Sequence, residues 1–341
     1  MDNFKDVGCD PCGRPNLRKQ HDKQNSGNFT KVAFIINPIS GGIAKNNFND
    51  LIKKVLDKNF VIEIFLTERA NHATEIAQNL LKTNISYIIA VGGDGTINEV
   101  AKVLTNTEKI MGIVPYGSGN GLARHLKIPL EIEKALSFIN KKIIEINDLE
   151  NSLTDNLQEN STEITIIDTC TLNGNSFFCT AGIGFDAHVS AHFAKAKARG
   201  FWNYIKSTFH IFKDFVPETY HLEMQTADNQ EIKLSKVAFS LTFANAAQFG
   251  NNAFIAPQAN ISDGLLNVCL VKPFPKWLMP VFGTRLFLKT INKSKFYENY
   301  LVKKITITRQ KADFCHLDGE NYTFDEKIIV VINPQSLRIL A

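Results

Sequence analysis

The run Gly92-Gly93-Asp94-Gly95-Thr96-Ile97-Asn98-Glu99-Val100 follows the apolar segment Ser86 to Val91 and opens a helical pattern. Glycines let a backbone approach a ligand closely, and a helix N-terminus offers unpaired N–H groups and a positive dipole end. That chemistry suits a phosphate. Asp94 is ill placed by charge to touch phosphate oxygens, so it implies a cation, with Mg2+ the natural choice, or a proton-transfer network beside a nucleotide. The plainer alternative is an acidic N-cap. Two more apolar runs end in comparable stretches, Asn37-Pro38-Ile39-Ser40-Gly41-Gly42 and Pro115-Tyr116-Gly117-Ser118-Gly119-Asn120-Gly121-Leu122-Ala123-Arg124. None has the Lys-Ser/Thr of a P-loop or the spaced glycines and later acidic residue of a dinucleotide fold, which sets both aside. The pair Cys9 and Cys12 lacks the second ligand pair that a zinc site needs.

The elements that position these stretches follow from periodicity. Lys31–Asn37, Val61–Thr67, Ser86–Val91 and Lys109–Pro115 read as buried strands. Between them Phe48, Leu51, Ile52, Val55 and Leu56 repeat at helical spacing, Ala70–Lys82 and Thr96–Leu104 do likewise, and helical stretches run on to about Asn140. Strands alternating with helices imply a parallel sheet covered on both faces, whose ligands gather at the carboxyl ends of the strands. Residues 147–162 are polar and aperiodic and read as a linker. Beyond them the texture becomes mainly antiparallel β, with Ser176–Thr180, Lys304–Thr308 and Lys327–Ile332 among the strands and helical exceptions near 187–215 and 276–292. The expected organisation is a polar tail over 1–28, an α/β unit over 29–146 and a β-rich unit over 163–341. The last strand is a candidate to return to the first unit.

Composition narrows the function. Charged residues are 21% of the 341 and the net charge is +4, too mild for nucleic acid as the main partner. No apolar run approaches the roughly 18 residues of a membrane span. Six scattered cysteines and no secretory signal point to a reducing, cytoplasmic setting.

Taken together, the motifs resemble the diacylglycerol kinase catalytic-domain superfamily in its bacterial lipid-kinase form. The resemblance rests on Asn37-Pro38-x-Ser40-Gly41, the Gly92–Glu99 run, Pro115-x-Gly117-Ser118-Gly119-Asn120-x-Leu122-Ala123-Arg124, Gly182-x-Gly184-Phe185-Asp186, Ser262-Asp263-Gly264-Leu265-Leu266 and His316-x-Asp318-Gly319-Glu320. These come in family order between residues 31 and 341. The resemblance implies an ATP- and Mg2+-dependent kinase that phosphorylates a lipid hydroxyl, with diacylglycerol giving phosphatidic acid. A sphingoid-base or ceramide kinase is the alternative acceptor reading, and a catalytically silent lipid-binding homologue the alternative of another class. It further implies that the second unit is β-sandwich-like with the active site in the cleft between the two units, peripheral contact with the cytoplasmic membrane face and a homodimer.

By the same resemblance Asn37, Pro38, Ile39, Ser40, Gly41, Thr67, Gly93 to Glu99 (with Asp94, Gly95, Thr96, Ile97 and Asn98) and Ser118 fall on nucleotide-contacting positions. Thr67 has an N-cap for the following helix as its alternative. An alcohol acceptor gains from a carboxylate that takes its proton during in-line transfer. Asp318 and Glu320 are the candidates, sharing one face if the strand continues through them, with a solvated turn as the alternative. The resemblance puts Glu320 at the proton-acceptor position and credits Asp318 as base or orienting partner. It gives Asn260, Asp263 and Leu265 to a second Mg2+ element, otherwise a hairpin turn. Asp186 goes to that network or to the acceptor's head group. Aromatic and basic residues mixed over Phe193–Phe215 and Lys276–Lys289 suit a bilayer interface or a packed core.

Overall fold

The computed structural model describes residues 29–40, 48–152, 164–195, 201–250 and 252–341. The expectations for the tail, for Cys9 and Cys12 and for Gly41 lie outside the described residues. The first unit runs β1 (Thr30–Ile36), α1 (Phe48–Val55), β2 (Phe60–Leu66), α2 (His72–Leu80), β3 (Tyr87–Gly92), α3 (Asp94–Leu104), β4 (Ile110–Pro115), α4 (Gly121–His125) and α5 (Ile132–Ser152). Its strands lie in the order β4-β3-β1-β2, all parallel. β1 alternates between two cores: Ala33 and Ile35 pack with α2 and α3, while Val32, Phe34 and Ile36 pack with α1 and α5. Helices therefore cover both faces, as the periodicity implies.

Register decides where the loops fall. Ile36 pairs with Val91 and with Leu66, and Val91 with Val114. Asn37, Thr67, Gly93 and Tyr116 thus leave the sheet along one edge.

The second unit comprises β5 (Thr165–Leu172), β6 (Asn175–Phe177), β7 (Thr180–Gly184), α6 (Phe185–Lys195), α7 (Phe201–Asp214), β8 (Glu218–Thr226), β9 (Glu231–Ala238) and β10 (Ser240–Ala244). After these come β11 (Gln248–Gly250), β12 (Ala253–Phe254), β13 (Leu266–Val271), α8 (Met279–Phe287), β14 (Tyr297–Thr308), β15 (Asp313–Leu317), β16 (Glu320–Phe324) and β17 (Lys327–Ile339). Apart from the β11–β12 ribbon, these strands form one continuous sheet with the first unit, in the main order β16-β15-β7-β10-β13-β14-β17-β4-β3-β1-β2. The sheet folds over a second core, in which Leu222 and Met224 of β8 meet Ala181 and Ile183 of β7 and Phe243 of β10. β17 joins the units: Lys327–Val331 pair antiparallel with β14, whereas Arg338 and Ile339 pair parallel with Ile110 and Met111.

Three boundaries differ from the sequence reading. α5 continues to Ser152, into the segment expected to be a linker, because Ala135, Leu136, Ile139, Ile143 and Ile146 keep one apolar stripe on the first sheet. The polar residue Asn147 ends that stripe by hydrogen bonding to Thr30 Oγ1 at 2.8 Å. The run from Ser176 to Thr180 is two strands, since Phe178 and Cys179 turn the chain between β6 and β7. Thirdly, β14 begins at Tyr297 and β17 extends to Ile339, where β14 meets β13 and β17 meets β4.

Candidate active site

The loops after β3 and β4 pack backbone against backbone. A Cβ at Gly117 would stand 2.6 Å from Gly93 Cα, so only glycine permits the approach. Asn120, at φ 54°, closes its own loop: Nδ2 donates to Gly117 O at 2.9 Å and Oδ1 accepts the Gly117 amide at 3.0 Å. Asn37 ties in the third loop, donating to Thr96 Oγ1 at 3.1 Å and accepting the Ile39 amide at 3.0 Å. Gly93 is the extended N-cap of α3, whose first-turn amides have no partner inside the helix. By donor chemistry and dipole sign these form a cradle suited to a phosphate. Pro38, Ile39 and Ser118 stand exposed at its rim, Ser40 is half-buried there, and Thr67 is buried at the end of β2.

Three residues in this region do something other than expected. Asp94 clamps two loops: its Oδ2 accepts the Asn120 amide at 2.9 Å and its Oδ1 the Gly121 amide at 2.8 Å. It holds the start of α4 against the start of α3, since a carboxylate satisfies helix-end amides well. Glu99 is turned away from the cradle and accepts the amides of Asn71 and Ala73, both at 3.0 Å, thereby capping α2. That also removes the capping alternative for Thr67. Ile97 is core, 1% exposed among the side chains that α3 buries.

The second unit brings the β15–β16 hairpin to the cradle. Asp318 and Gly319 have φ of 49° and 89°, so the strand breaks there and Asp318 and Glu320 do not share one strand face. Asp318 turns inward. Its carboxylate accepts the amides of Phe178, Cys179 and Thr180 at 2.8, 2.8 and 2.9 Å, and Asn98 Nδ2 donates to it from α3 at 3.0 Å. Burial raises its pKa above the usual aspartate range, opposed by those three amides and reinforced by the nearby charge of Asp94. Asn98 is thus a bridge between units. Glu320 is exposed, and its Oε1 lies 3.4 Å from where a Cβ on Gly95 would stand. Tyr322 donates its hydroxyl to the other oxygen at 3.3 Å.

Asp186 lies one layer away, in the first turn of α6. It accepts from Thr242 Oγ1 at 2.8 Å and faces His316 Nε2 at 3.4 Å. Thr242, Gly182 and His316 are in register across β10, β7 and β15, and a Cβ on Gly182 would meet Asp186 Oδ2 at 2.3 Å. Sequence reading missed Thr242 and the partnership of His316; the Gly182-x-Gly184 spacing was the available signal. The Asp263 turn sits elsewhere. Asp263 Oδ1 accepts the Leu265 amide at 3.0 Å, Asn260 Oδ1 the Ser262 amide at 3.1 Å, and the neighbouring Gly264 amide donates to buried Asp168 at 2.7 Å. The turn is therefore held by its own hydrogen bonds and by β5. Among the described residues no cluster of three or more His, Cys, Asp or Glu could hold a metal ion. Asp318 fits a metal poorly, its oxygens accepting four N–H donors, whereas Asp94 accepts two and keeps acceptor capacity on each oxygen. Of the expected metal residues only Asp263 offers an exposed carboxylate.

The aromatic and basic segments divide. Phe212 and Phe215 pack with Phe239, and Met279 and Phe282 lean on the same cluster, so these are core. Phe209, Trp277, Val281 and Phe287 are exposed. The side chains of Phe201, Trp202 and Tyr204 lie outside the described ones. Among the described residues no helix is long and apolar enough to cross a membrane.

Comparison with known proteins matches the two units separately. Residues 31–151 match the diacylglycerol kinase catalytic domain, and residues 179–341 match the YegS C-terminal NAD kinase beta sandwich-like domain. A "Probable lipid kinase YegS-like" from Yersinia pestis (strain Pestoides F) is 26% identical over 281 residues, covering 80% of this chain and 84% of its own. The "Uncharacterized protein sll0036" of Synechocystis is 27% identical over 332 residues, covering 92% and 70%. The crystal structure of a diacylglycerol kinase from Bacillus anthracis str. Sterne superposes with a TM-score of 0.64 at 18% identity, over 92% of this chain and 97% of that one. The two matches together span most of residues 31–341, with the cradle in the first and the hairpin in the second, and the chain belongs to the diacylglycerol kinase catalytic-domain superfamily.

Proposed function

We propose that the protein transfers the terminal phosphoryl group of ATP to a lipid hydroxyl, with diacylglycerol as acceptor and phosphatidic acid as product. The observation that carries this reading is Glu320: an exposed carboxylate from one unit set against Gly95, in the phosphate-binding helix turn of the other. A base must stand beside the transferred phosphoryl group, because the attacking alcohol sheds its proton as the new P–O bond forms. In this reading the amides from Gly93 to Thr96 hold the donor's phosphates. Glu320 takes the hydroxyl proton. Asp318 does not compete for it, since its oxygens accept four N–H donors; its part is to hold the hairpin so that Glu320 reaches Gly95.

Mg2+ supplies charge neutralisation for the phosphates when it enters with the nucleotide. A second ion would sit at the Asp263 turn, held by that carboxylate with main-chain oxygens of Asn260 and Leu265. The acceptor reading also includes work at a membrane surface on the cytoplasmic side and a homodimer. Buried free thiols at Cys170, Cys179, Cys269 and Cys315 accord with a reducing compartment.

Labelled ATP, Mg2+ and detergent-dispersed lipids test the proposal. Extraction after incubation should recover label in phosphatidic acid, and label recovered only with sphingosine or ceramide would replace diacylglycerol as acceptor. No labelled lipid from any acceptor, with nucleotide still bound, would leave the silent lipid-binding homologue.

A further inference from the structure

A cleft of about 360 Å3 opens between the units, away from Glu320. From the first unit it is lined by Arg124, His125 and Lys127, at and just past the end of α4; from the second by Gln248 and Asn252 of the β11–β12 ribbon and by Lys289 after α8. No carboxylate lines it. Among the described residues Arg124, Lys127 and Lys289 take part in no ion pair, whereas Lys54, Lys134, Lys233 and Lys272 all do. Unpaired cations converging on a concave surface, with two side-chain amides beside them, match an anion with several acceptor oxygens. His125 adds little charge, because its Nδ1 accepts the Ala247 amide at 3.3 Å and burial beside Lys127 lowers its pKa.

What surrounds the cleft identifies the source of the anion. Lys289 follows Phe287 and Leu288, which are 45% and 65% exposed, and Trp277 and Val281 on the same helical segment are 76% and 49% exposed. Leu130, also in the cleft wall, is 39% exposed. Lys289 Nζ lies 4.3 Å from the Phe254 ring centroid, which holds the ammonium at the rim. Apolar side chains beside unpaired cations form an interfacial pairing: the former enter acyl chains while the latter meet lipid phosphates. A free phosphate in solution needs the cations and has no use for the apolar rim.

We infer that this cleft binds the head group of an anionic phospholipid in a bilayer, with the Trp277–Leu288 segment inserted beside it. Its lining includes neither Glu320 nor Asp318, and its occupant would touch the first unit through Arg124. Arg124 Nε donates to Gly119 O at 2.9 Å, in the loop whose continuation Asp94 clamps.

Sedimentation with vesicles, in the absence of ATP and acceptor, tests this independently of kinase activity. The full chain should bind phosphatidylcholine vesicles containing phosphatidylglycerol and bind pure phosphatidylcholine vesicles weakly. Lys127→Glu/Lys289→Glu should lower binding to the anionic vesicles about tenfold or more, from two reversed charges near a charged surface. Lys82→Glu/Lys102→Glu changes the net charge equally at the opposite end of the first unit and should have a much smaller effect. Equal losses from the two double variants would overturn the site, leaving only net charge. Saturable binding of inorganic phosphate that Lys127→Glu/Lys289→Glu abolishes, with vesicle binding unaffected, would overturn the bilayer assignment. Turnover of a detergent-dispersed acceptor should be the same in Lys127→Glu/Lys289→Glu and the parent, so loss of vesicle binding cannot be confused with failure of the kinase reading.

Discussion

The cradle edge of the first unit and the β15–β16 hairpin of the second approach one another with opposite materials. The cradle is almost all backbone: Gly93 against Gly117, helix amides, and an Asp94 whose oxygens each accept one amide and so hold two loops together. The hairpin contributes side chains, one carboxylate buried in amides and one left exposed. The contrast shows that carboxylates near a phosphate site separate by what already occupies their oxygens. Backbone amides at Asp94 and Asp318 make scaffolding; Glu320, with a single tyrosine hydroxyl donor, is the carboxylate the proposed reaction uses.

The largest test of that contrast is Glu320→Gln. It keeps the shape and the Tyr322 contact but removes the proposed base, so kcat should fall by about 10²-fold or more while melting temperature and nucleotide affinity barely move. Parental kcat at saturating lipid would shift the base to another group and erase the distinction. Asp318→Ala comes next. It strands the amides of Phe178 to Thr180 and the Asn98 amide, and should cost about 1–3 kcal/mol of stability in denaturant titration along with activity. Asp318→Asn, which keeps one acceptor oxygen, should recover part of both. The raised pKa of Asp318 adds a pH signature: its ionised form is disfavoured by folding, so its contribution is largest in acid and declines as pH rises through that raised value. Melts of Asp318→Asn against pH should be flatter than the parent in that window.

Gly117→Ala probes the other side. The added methyl meets Gly93 Cα at 2.6 Å, a backbone atom that cannot swing aside, so the loops must part. A loss of about 1–3 kcal/mol, and a KM for ATP raised more than the KM for lipid, is expected. An unchanged KM for ATP would mean that the two loops do not form the donor site. The smallest effect belongs to Glu99→Gln. Because Glu99 caps α2 rather than touching the cradle, this change should cost about 1 kcal/mol and leave both KM values alone. A selective rise in KM for ATP would return Glu99 to the nucleotide.

Much of the scaffold was legible from local pattern. The spacing of Phe48, Ile52 and Val55, the β-branched runs and the three glycine-bearing strand ends are governed by period and by backbone freedom, which neighbouring residues determine. The length of α5 was not legible, because its last turns are polar in sequence and are held by Asn147 reaching Thr30, a contact across 117 positions. For the same reason Glu99 read as a ligand residue: its motif neighbours suggested phosphate, and only the packing of α2 on α3 shows which amides it meets.

By itself the sequence determined the parallel first sheet, the gathering of glycine loops along its carboxyl edge, the β-rich second half and the residue types available for phosphoryl transfer. Period and chain chirality leave little choice in these. Tertiary structure decided the rest: that Asp94 and Asp318 are spent on backbone amides, that Asn98 bridges units 220 positions apart, and that the hairpin turn separates Asp318 from Glu320. A carboxylate's role depends on which donors surround it, and donors brought from distant strands leave no trace in local spacing.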